Sequence, residues 1–365
     1  MLSASLAAAM PTWAGAAKST TLFAAWQQQD EQHIGLLSAG DASWSVKRSL
    51  LVPTRAHGLW AEAGGSVLAV ARRPGDWLLR WHPASGQAQW HWMEGDRRFN
   101  GHVIASRDGQ TLWTTETDLE TAQGRVGVRD ARSLVKTTEW ASHGADPHQL
   151  LTLPRALADC PEGSLVVANG GVPTLPETGR SKRALDRMDA SLVALHPRSG
   201  ALLGQWRLPD AFLSIRHLAW DPVSRTLGIA LQAEHPDPVA RQTAPVLAVW
   251  DGARLRMAED QPPMAGYGGD ICALPGGGFA VSCPRANRLA LFTAQGRWQD
   301  GIEHTEACAL ANPGGRGPWW LASNRGAAGL MHGGGAIPPT TVLAQASVAG
   351  LADLQIDNHW IALPG

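Results

Sequence analysis

Between Gly101 and Asp130 three short apolar runs are separated by polar turns, the pattern of β-strands rather than of an amphipathic helix. Residues 102–105 predict a first strand that ends at the turn Arg107-Asp108-Gly109, and 111–115 predict a second, rich in β-forming residues. Gly109 would supply the positive φ that such a turn needs. Val126, Val128 and Asp130 predict a third strand, and 134–140 a fourth. One sheet of four strands cannot bury both of its faces, so the pattern should repeat.

It does repeat. His57, His102, His148 and His217 each open an apolar run, and Asp270, Glu306 and His359 open weaker ones. Successive starts lie roughly 36 to 69 residues apart, mostly the size of a propeller blade. The widest interval is explained by a polar insertion at 169–180 in the third unit; the fourth carries a proline-bearing loop at 232–245. In the sixth, strands near 327–331 and 341–344 flank a glycine-rich segment, 331–339, read as a loop. A last strand, 359–363, lacks three partners, which 22–26, 33–37 and 43–50 can provide. The expected fold is therefore all-β, a seven-bladed β-propeller over 20–365 as a single domain, its ring closed by the C-terminal strand pairing with N-terminal strands. Closure removes two exposed sheet edges. A β-sandwich with a second domain, or an eighth blade hidden in 143–216, are the structural alternatives.

Composition supports turn-rich β architecture: 40 glycines, 24 prolines and 17 tryptophans in 365 residues. Trp60, Trp113 and Trp220 are the preferred packing residues between blades. Lysine and arginine number 31 against 32 acidic residues, a net charge of -1 that gives no global bias toward nucleic acid. Residues 1–17 are small and apolar, with an Ala-Gly-Ala segment at 14–16, like the latter part of an export signal; 1–19 is read as a truncated leader and the product as periplasmic. No later run reaches the roughly 20 apolar residues of a membrane span. Cys160, Cys272, Cys283 and Cys308 form no CxxC pair. Cys272 and Cys283 could join as a disulfide on neighbouring strands, but buried small hydrophobes are the favoured reading.

The stretches 95–102 (GDRRFNGH), 114–118 (TTETD), 142–148 (SHGADPH), 167–171 (VANGG) and 214–217 (SIRH) together resemble domain-of-unknown-function family 1513. The resemblance covers roughly 56–324 and is strongest over 95–220. It implies a propeller-like bacterial protein exported with a twin-arginine signal, a part of the family pattern that this sequence lacks. It also implies gene neighbours of the imelysin type, and with them a periplasmic role in iron or other metal handling. It implies no reaction.

Equivalent inner-strand starts in a propeller face one axis, which makes His57, His102, His148, His217, Asp270, Glu306 and His359 candidates for a polar cluster at the central mouth. Imidazoles and carboxylates suit zinc, iron or copper, whereas calcium would call for oxygen ligands. The plainer reading is a set of hydrogen-bonded strand ends. Glu116 and Asp118, two apart on a strand, share a face and could hold a cation, accept from Arg98 or Arg125, or form an acid/base pair. Asp146 lies two residues before His148; Arg55, Arg98 and Arg216 lie near predicted channel entrances. The turn Asn169-Gly170-Gly171 could expose backbone donors to an anion, with Arg180, Lys182 and Arg183 adding positive potential. GxSxG, HExxH, EF-hand, P-loop, dinucleotide and CxxCH motifs are all absent. Two functions stay open: a metal-associated binding or accessory propeller with a periplasmic protein partner or small ligand, and a metal-dependent hydrolase of lactonase-like type.

Overall fold

In the computed structural model, the described residues are 19–40, 44–173, 185–314, 319–324, 328–334, 337–342, 351 and 353–363, with backbone alone at 328–334 and 337–342. The chain opens with β1 (Thr20–Gln28), β2 (Glu31–Ala39) and β3 (Trp44–Val52). There follow β4 (Ala56–Ala61), β5 (Val67–Ala71), β6 (Trp77–Trp81) and β7 (Ala88–Trp92), then β8 (Arg97–Ala105), β9 (Thr111–Asp118), β10 (Gly124–Asp130) and β11 (Lys136–Ala141). The middle of the chain forms β12 (Pro147–Thr152), β13 (Leu165–Asn169), β14 (Ser191–Leu195) and β15 (Leu202–Trp206), then β16 (Leu213–Asp221), β17 (Thr226–Ala233), β18 (Leu247–Trp250) and β19 (Leu255–Met257). The last strands are β20 (Ile271–Ala273), β21 (Phe279–Cys283), β22 (Arg288–Phe292) and β23 (Trp298–Glu303), β24 (Ala307–Ala311), β25 (Trp319–Ser323), β26 (Ala328–Gly334) and β27 (Ile337–Val342), and finally β28 (Leu354–Ala362).

Each group of four consecutive strands from β4 to β27 makes one antiparallel sheet, and β28 joins β1, β2 and β3 in another. The fold is an all-β propeller. The expectation of seven equivalent blades is corrected: six sheets have all four strands described with their side chains. The sheet β24–β27 has only its inner pair so described, with β26 and β27 known as backbone. The glycine-rich segment at 331–339 is also not one loop, because β26 runs to Gly334 and β27 starts at Ile337. The leader at 1–17 and most of the insertion after Asn169, with Arg180, Lys182 and Arg183, lie outside the described residues.

Ring closure follows from pairing. β28 runs antiparallel to β1, with Trp26 opposite Ile356 and Ala24 opposite Trp360. The inner strands touch in sequence around the axis, β4 against β8, β8 against β12, β12 against β16, β16 against β20, β20 against β24, β24 against β28, and β28 against β4. Strands such as β5, β13 and β14 are buried along their whole length, because a neighbouring blade covers each face; they accordingly read as unbroken apolar runs. The outer strand β3 is exposed through its middle, where Lys47 and Arg48 keep its free edge polar. Tryptophans fill the seams: Trp77, Trp250 and Trp319 are fully buried, and Trp113 is buried where Trp60 and Trp140 pack. Trp60 and Trp220 are only half-buried, though both pack against core clusters.

Smaller expectations resolve as follows. Gly109 has φ 69 and turns the chain from β8 to β9. The loop at 232–245 holds a short helix, α1 (Pro238–Thr243), whose first turn is capped by Asp237 accepting from the Ala240 amide at 2.7 Å. All four cysteines are free and buried; Cys272 stands opposite Ala280 in register, three residues from Cys283, and burial pushes the Cys283 thiol up to about 12. Among the described residues, no helix is long and apolar enough to cross a membrane.

Candidate metal centre

Five histidines reach the axis because their strands are irregular where they stand. Register shifts fall between Ala56 and Leu59, between Phe99 and Val103, and between Pro147 and Leu150, around His57, His102 and His148. On β16 the shift comes between Ile215 and His217, and on β28 it comes between Ile356 and Trp360, around His359. A bulge releases a residue from strict alternation and re-aims its side chain, here from the blade toward the channel. Gly101 lets two of the rings meet: its φ is +102°, and a Cβ there would come within 2.9 Å of His57 Cδ2. The His57 and His102 rings then lie 4.8 Å apart, edge to face.

The Nε2 atoms converge. His57 Nε2 is 3.4 Å from His148 Nε2, which is 2.9 Å from His217 Nε2, which in turn is 3.1 Å from His359 Nε2. One ligand atom from each of His57, His102, His148 and His217 falls within 4.8 Å of all the others. An imidazole Nε2 offers either one proton or one lone pair in one direction, so it can satisfy a single partner. His148 and His217 each face two. Protein hydrogen bonds alone therefore leave this set unsatisfied, and His102 Nε2 is buried with no partner among the described residues. A cation with nitrogens at about 2.0–2.1 Å would place neighbouring ligands about 2.9–3.4 Å apart. The His57–His148, His148–His217 and His217–His359 separations fall in that range, and the four-histidine set as a whole lies within 4.8 Å.

The electrostatics keep the donors neutral. Burial lowers the pKa of His57 to about 4, and burial with repulsion from neighbouring histidines holds His102, His148 and His217 well below the usual value. His359 goes the other way: burial lowers it, but the charge and hydrogen bond of Asp270 prevail and raise it. Asp270 Oδ1 lies 3.1 Å from His359 Nδ1, and its oxygens also accept from the Ile271 and Leu310 amides at 2.9 Å each. This carboxylate orients the ring and leaves Nε2 facing the cluster. Asp270 braces His359 and, with His217 and His359, forms a second buried group whose ligand atoms lie within 4.8 Å of one another; Glu306 is in neither group and sits half-buried in the turn before β24.

A charged layer stands beside the ring. Arg55, Asp146 and Asp357 each precede a ring histidine by two residues, and Arg216 precedes His217. Arg55 grips Asp357 through Nε and Nη2, the second contact at 2.8 Å, and Asp357 Oδ1 lies 3.9 Å from His57 Nδ1. Burial would raise the Asp357 carboxyl, but His57 and Arg55 hold it well below the usual range. Asp146 is fully buried between Arg73 and Arg216, whose Nη1 is 2.8 Å away.

One family model, described as a protein of unknown function (DUF1513), matches residues 50–363. The chain belongs to that family. Among curated proteins, none matches the sequence. Two solved structures are similar to this DUF1513 chain in fold. One comes from "Crystal Structure of Mitotic Checkpoint Complex", with TM-score 0.58, 12% identity, and coverage of 82% of this chain and 81% of that one. The other, "Streptogramin B lyase structure", has TM-score 0.54, 13% identity, and coverage of 79% and 83%. Identities this low speak to fold alone.

Several sequence candidates of this DUF1513 chain lie elsewhere. Glu116 is fully buried and accepts from Thr114 Oγ1 and Arg129 Nη2 at 2.7 Å each, and from Lys136 Nζ at 3.1 Å. Asp118 pairs with Arg97 at 3.2 Å and Arg125 at 3.4 Å. Both carboxylates belong to an ion-pair network inside one blade, beside a surface depression lined by Asp96, Arg97 and Lys136 through Glu139. Arg98 is not a partner of either; its Nη1 donates to the carbonyls of Gly95 and Arg97. Asn169 is buried and donates to the Ser142 carbonyl at 2.8 Å, while the Gly170 and Gly171 amides donate to the Asp146 and Ala145 carbonyls. Those amides therefore have no proton to offer an anion. Asp357 and Arg73 escaped the sequence reading, although Asp357 has the same two-residue lead on His359 that Asp146 has on His148.

Proposed function

We propose that this protein binds a first-row transition-metal ion in its central channel, through the imidazoles of His57, His102, His148 and His217 with His359 beside them. The supporting observation is that His148 Nε2 and His217 Nε2 each approach two other imidazole nitrogens at 2.9 to 3.4 Å, an arrangement that hydrogen bonds cannot satisfy and a shared cation can. Neutral imidazoles favour zinc, copper, nickel or iron over calcium or magnesium. The biological reading is an exported, periplasmic binding or accessory protein in iron or other metal handling, the leader-like residues 1–17 supporting export.

Binding is favoured over lactonase-like hydrolysis by the state of the nearest acids. Beyond the hydroxide that a bound metal can itself generate, a hydrolase gains from a free general acid or base beside the bound water. Asp357 is held by Arg55, Asp146 by Arg73 and Arg216, and Asp270 by His359 and two amides.

Metal quantification on protein purified without chelators, then on stripped and reconstituted protein, tests the reading. One ion per chain is expected, lost in His217→Ala. Reproducible absence of metal after reconstitution with zinc, copper, nickel and ferrous iron would overturn it. Peptide mapping of the exported product should find the leader removed; Met1 retained in cytoplasmic protein would count against export.

A further inference from the structure

His359 stands just outside the tight group of four histidines. Its Nε2 is nonetheless 3.1 Å from His217 Nε2, and its ring lies 4.4, 4.7 and 5.4 Å from the rings of His217, His57 and His102. His148 makes the matching set, at 4.7, 5.2 and 4.8 Å from the same three rings. Those three are spaced more widely from one another on average: His57 is 4.8 Å from His102 and 5.8 Å from His217, and His102 is 5.6 Å from His217. Two rings that each approach the same three describe the poles and the belt of a trigonal bipyramid.

The nitrogen spacing agrees with five donors better than with four. Around an ion with bonds of about 2.0–2.1 Å, a tetrahedron sets its donors about 3.3 Å apart, whereas a pole and a belt donor, at a right angle, stand about 2.9 Å apart. His148 and His217 are at 2.9 Å and His217 and His359 at 3.1 Å; His57 and His148, at 3.4 Å, are wider.

The outer nitrogens single out His359. Nδ1 of His57, His148 and His217 is buried with no hydrogen-bond partner among the described residues. His359 Nδ1 instead lies 3.1 Å from Asp270 Oδ1, the carboxylate contact that commonly orients a metal-bound imidazole. Asp270 also accepts from the Ile271 and Leu310 amides, so with three N–H donors on it the carboxylate is better suited to hold the ring than to bind an ion itself. An ion displaces any proton from His359 Nε2 and leaves the Nδ1 proton on Asp270.

We propose that His359 is drawn inward as the fifth ligand, so that five imidazoles close the coordination sphere of a single ion and leave no position for water or substrate; this rests on the metal reading above. Catalytic metal sites keep an open position. A closed sphere makes the ion itself the ligand of the channel, with His148 and His359 at its poles.

The test uses the cobalt(II)-loaded full chain, followed by its visible d–d bands during titration with azide and, separately, with imidazole. The wild-type bands should have five-coordinate intensity, weaker than tetrahedral cobalt, and stay indifferent to both additions. His359→Ala should bind cobalt about 10-fold or more weakly, because a lost ligand costs at least as much as a lost outer contact. Its bands should strengthen toward tetrahedral, and added imidazole should return them to the wild-type form. Near-UV circular dichroism of the tryptophans checks folding; His359→Gln is the second variant, and the wild-type titration needs none. A saturable azide response in wild type would overturn the closed sphere. Unchanged cobalt affinity and bands in folded His359→Ala would overturn the fifth ligand while the metal reading stands, and two cobalt ions per chain would assign His217, Asp270 and His359 to a site of their own. No cobalt uptake by wild type would overturn the metal reading and this proposal with it.

Discussion

Replacing Glu116 with alanine should destabilise the protein strongly and leave its metal content unchanged. Glu116 and Arg129 are both fully buried in side chain and paired at 2.7 Å. The substitution strands a guanidinium left with Thr114 Oγ1 at 3.1 Å, the Leu134 carbonyl at 3.0 Å, the Met93 sulfur at 3.8 Å and the Phe99 ring at 4.8 Å. An uncompensated buried charge costs about 3–5 kcal/mol. Lys136 adds little to that sum, because it is partly exposed and keeps Glu139 at 2.8 Å. The double replacement Glu116→Leu with Arg129→Met removes both charges together, so most of the loss should return, and the pair can end within about 1–2 kcal/mol of wild type. Urea unfolding of the three proteins gives the energies, and metal analysis of the same samples gives the second readout. A cost below about 1 kcal/mol for Glu116→Ala would refute the buried-pair argument. Loss of metal at unchanged stability would restore Glu116 as a ligand.

Three further outcomes follow from the same structure. Asp270→Asn should weaken metal binding about 10- to 100-fold, measured by competition with a chromophoric chelator, because the amide no longer fixes the His359 tautomer. Removing residues 354–365 takes away β28, its pairing with β1 and His359 itself; thermal unfolding should lose its cooperativity or shift sharply downward, and an unchanged melt would rule out closure through this strand. Glu139 is held at about 2, first by its hydrogen bond from Arg97 and then by Lys136. Its folded value lies below the unfolded one, so its stabilisation is present above about 4.5 and is lost as the pH falls toward 2. The stability gap between wild type and Glu139→Gln should therefore close across that window in acid titration of the unfolding midpoint.

Much of the fold was legible because blade strands obey local rules. β5, β13 and β14 read as unbroken apolar runs since both faces are covered, and Gly109 marks a turn because only a positive φ closes it there. The His starts were visible because each precedes an apolar run. Where the sequence was read wrongly, spacing was silent on partners. Glu116 and Asp118 share a strand face whether they meet a ligand or arginines, and a one-residue difference separates Arg97, which pairs with Asp118, from Arg98, which does not. The segment 331–339 looked like a loop because glycine and proline dominate it, yet strand pairing with β27 carries β26 through Gly334.

The sequence by itself determined that this chain folds as an all-β propeller with histidines at the starts of its inner strands, because burial alternation and turn chemistry act over a few neighbouring residues. Only the tertiary structure decided which of those side chains meet. His57, His102, His148, His217 and His359 come from different sheets, and each is turned inward by a break in strand register that no local pattern announces. Glu306, at an equivalent start, stays in its turn, and Asp270 braces His359 while standing in a second possible ligand group with His217 and His359. Ring closure brings β28 and β4 together and seats Asp357 against Arg55, two residues 302 positions apart that only closure can pair.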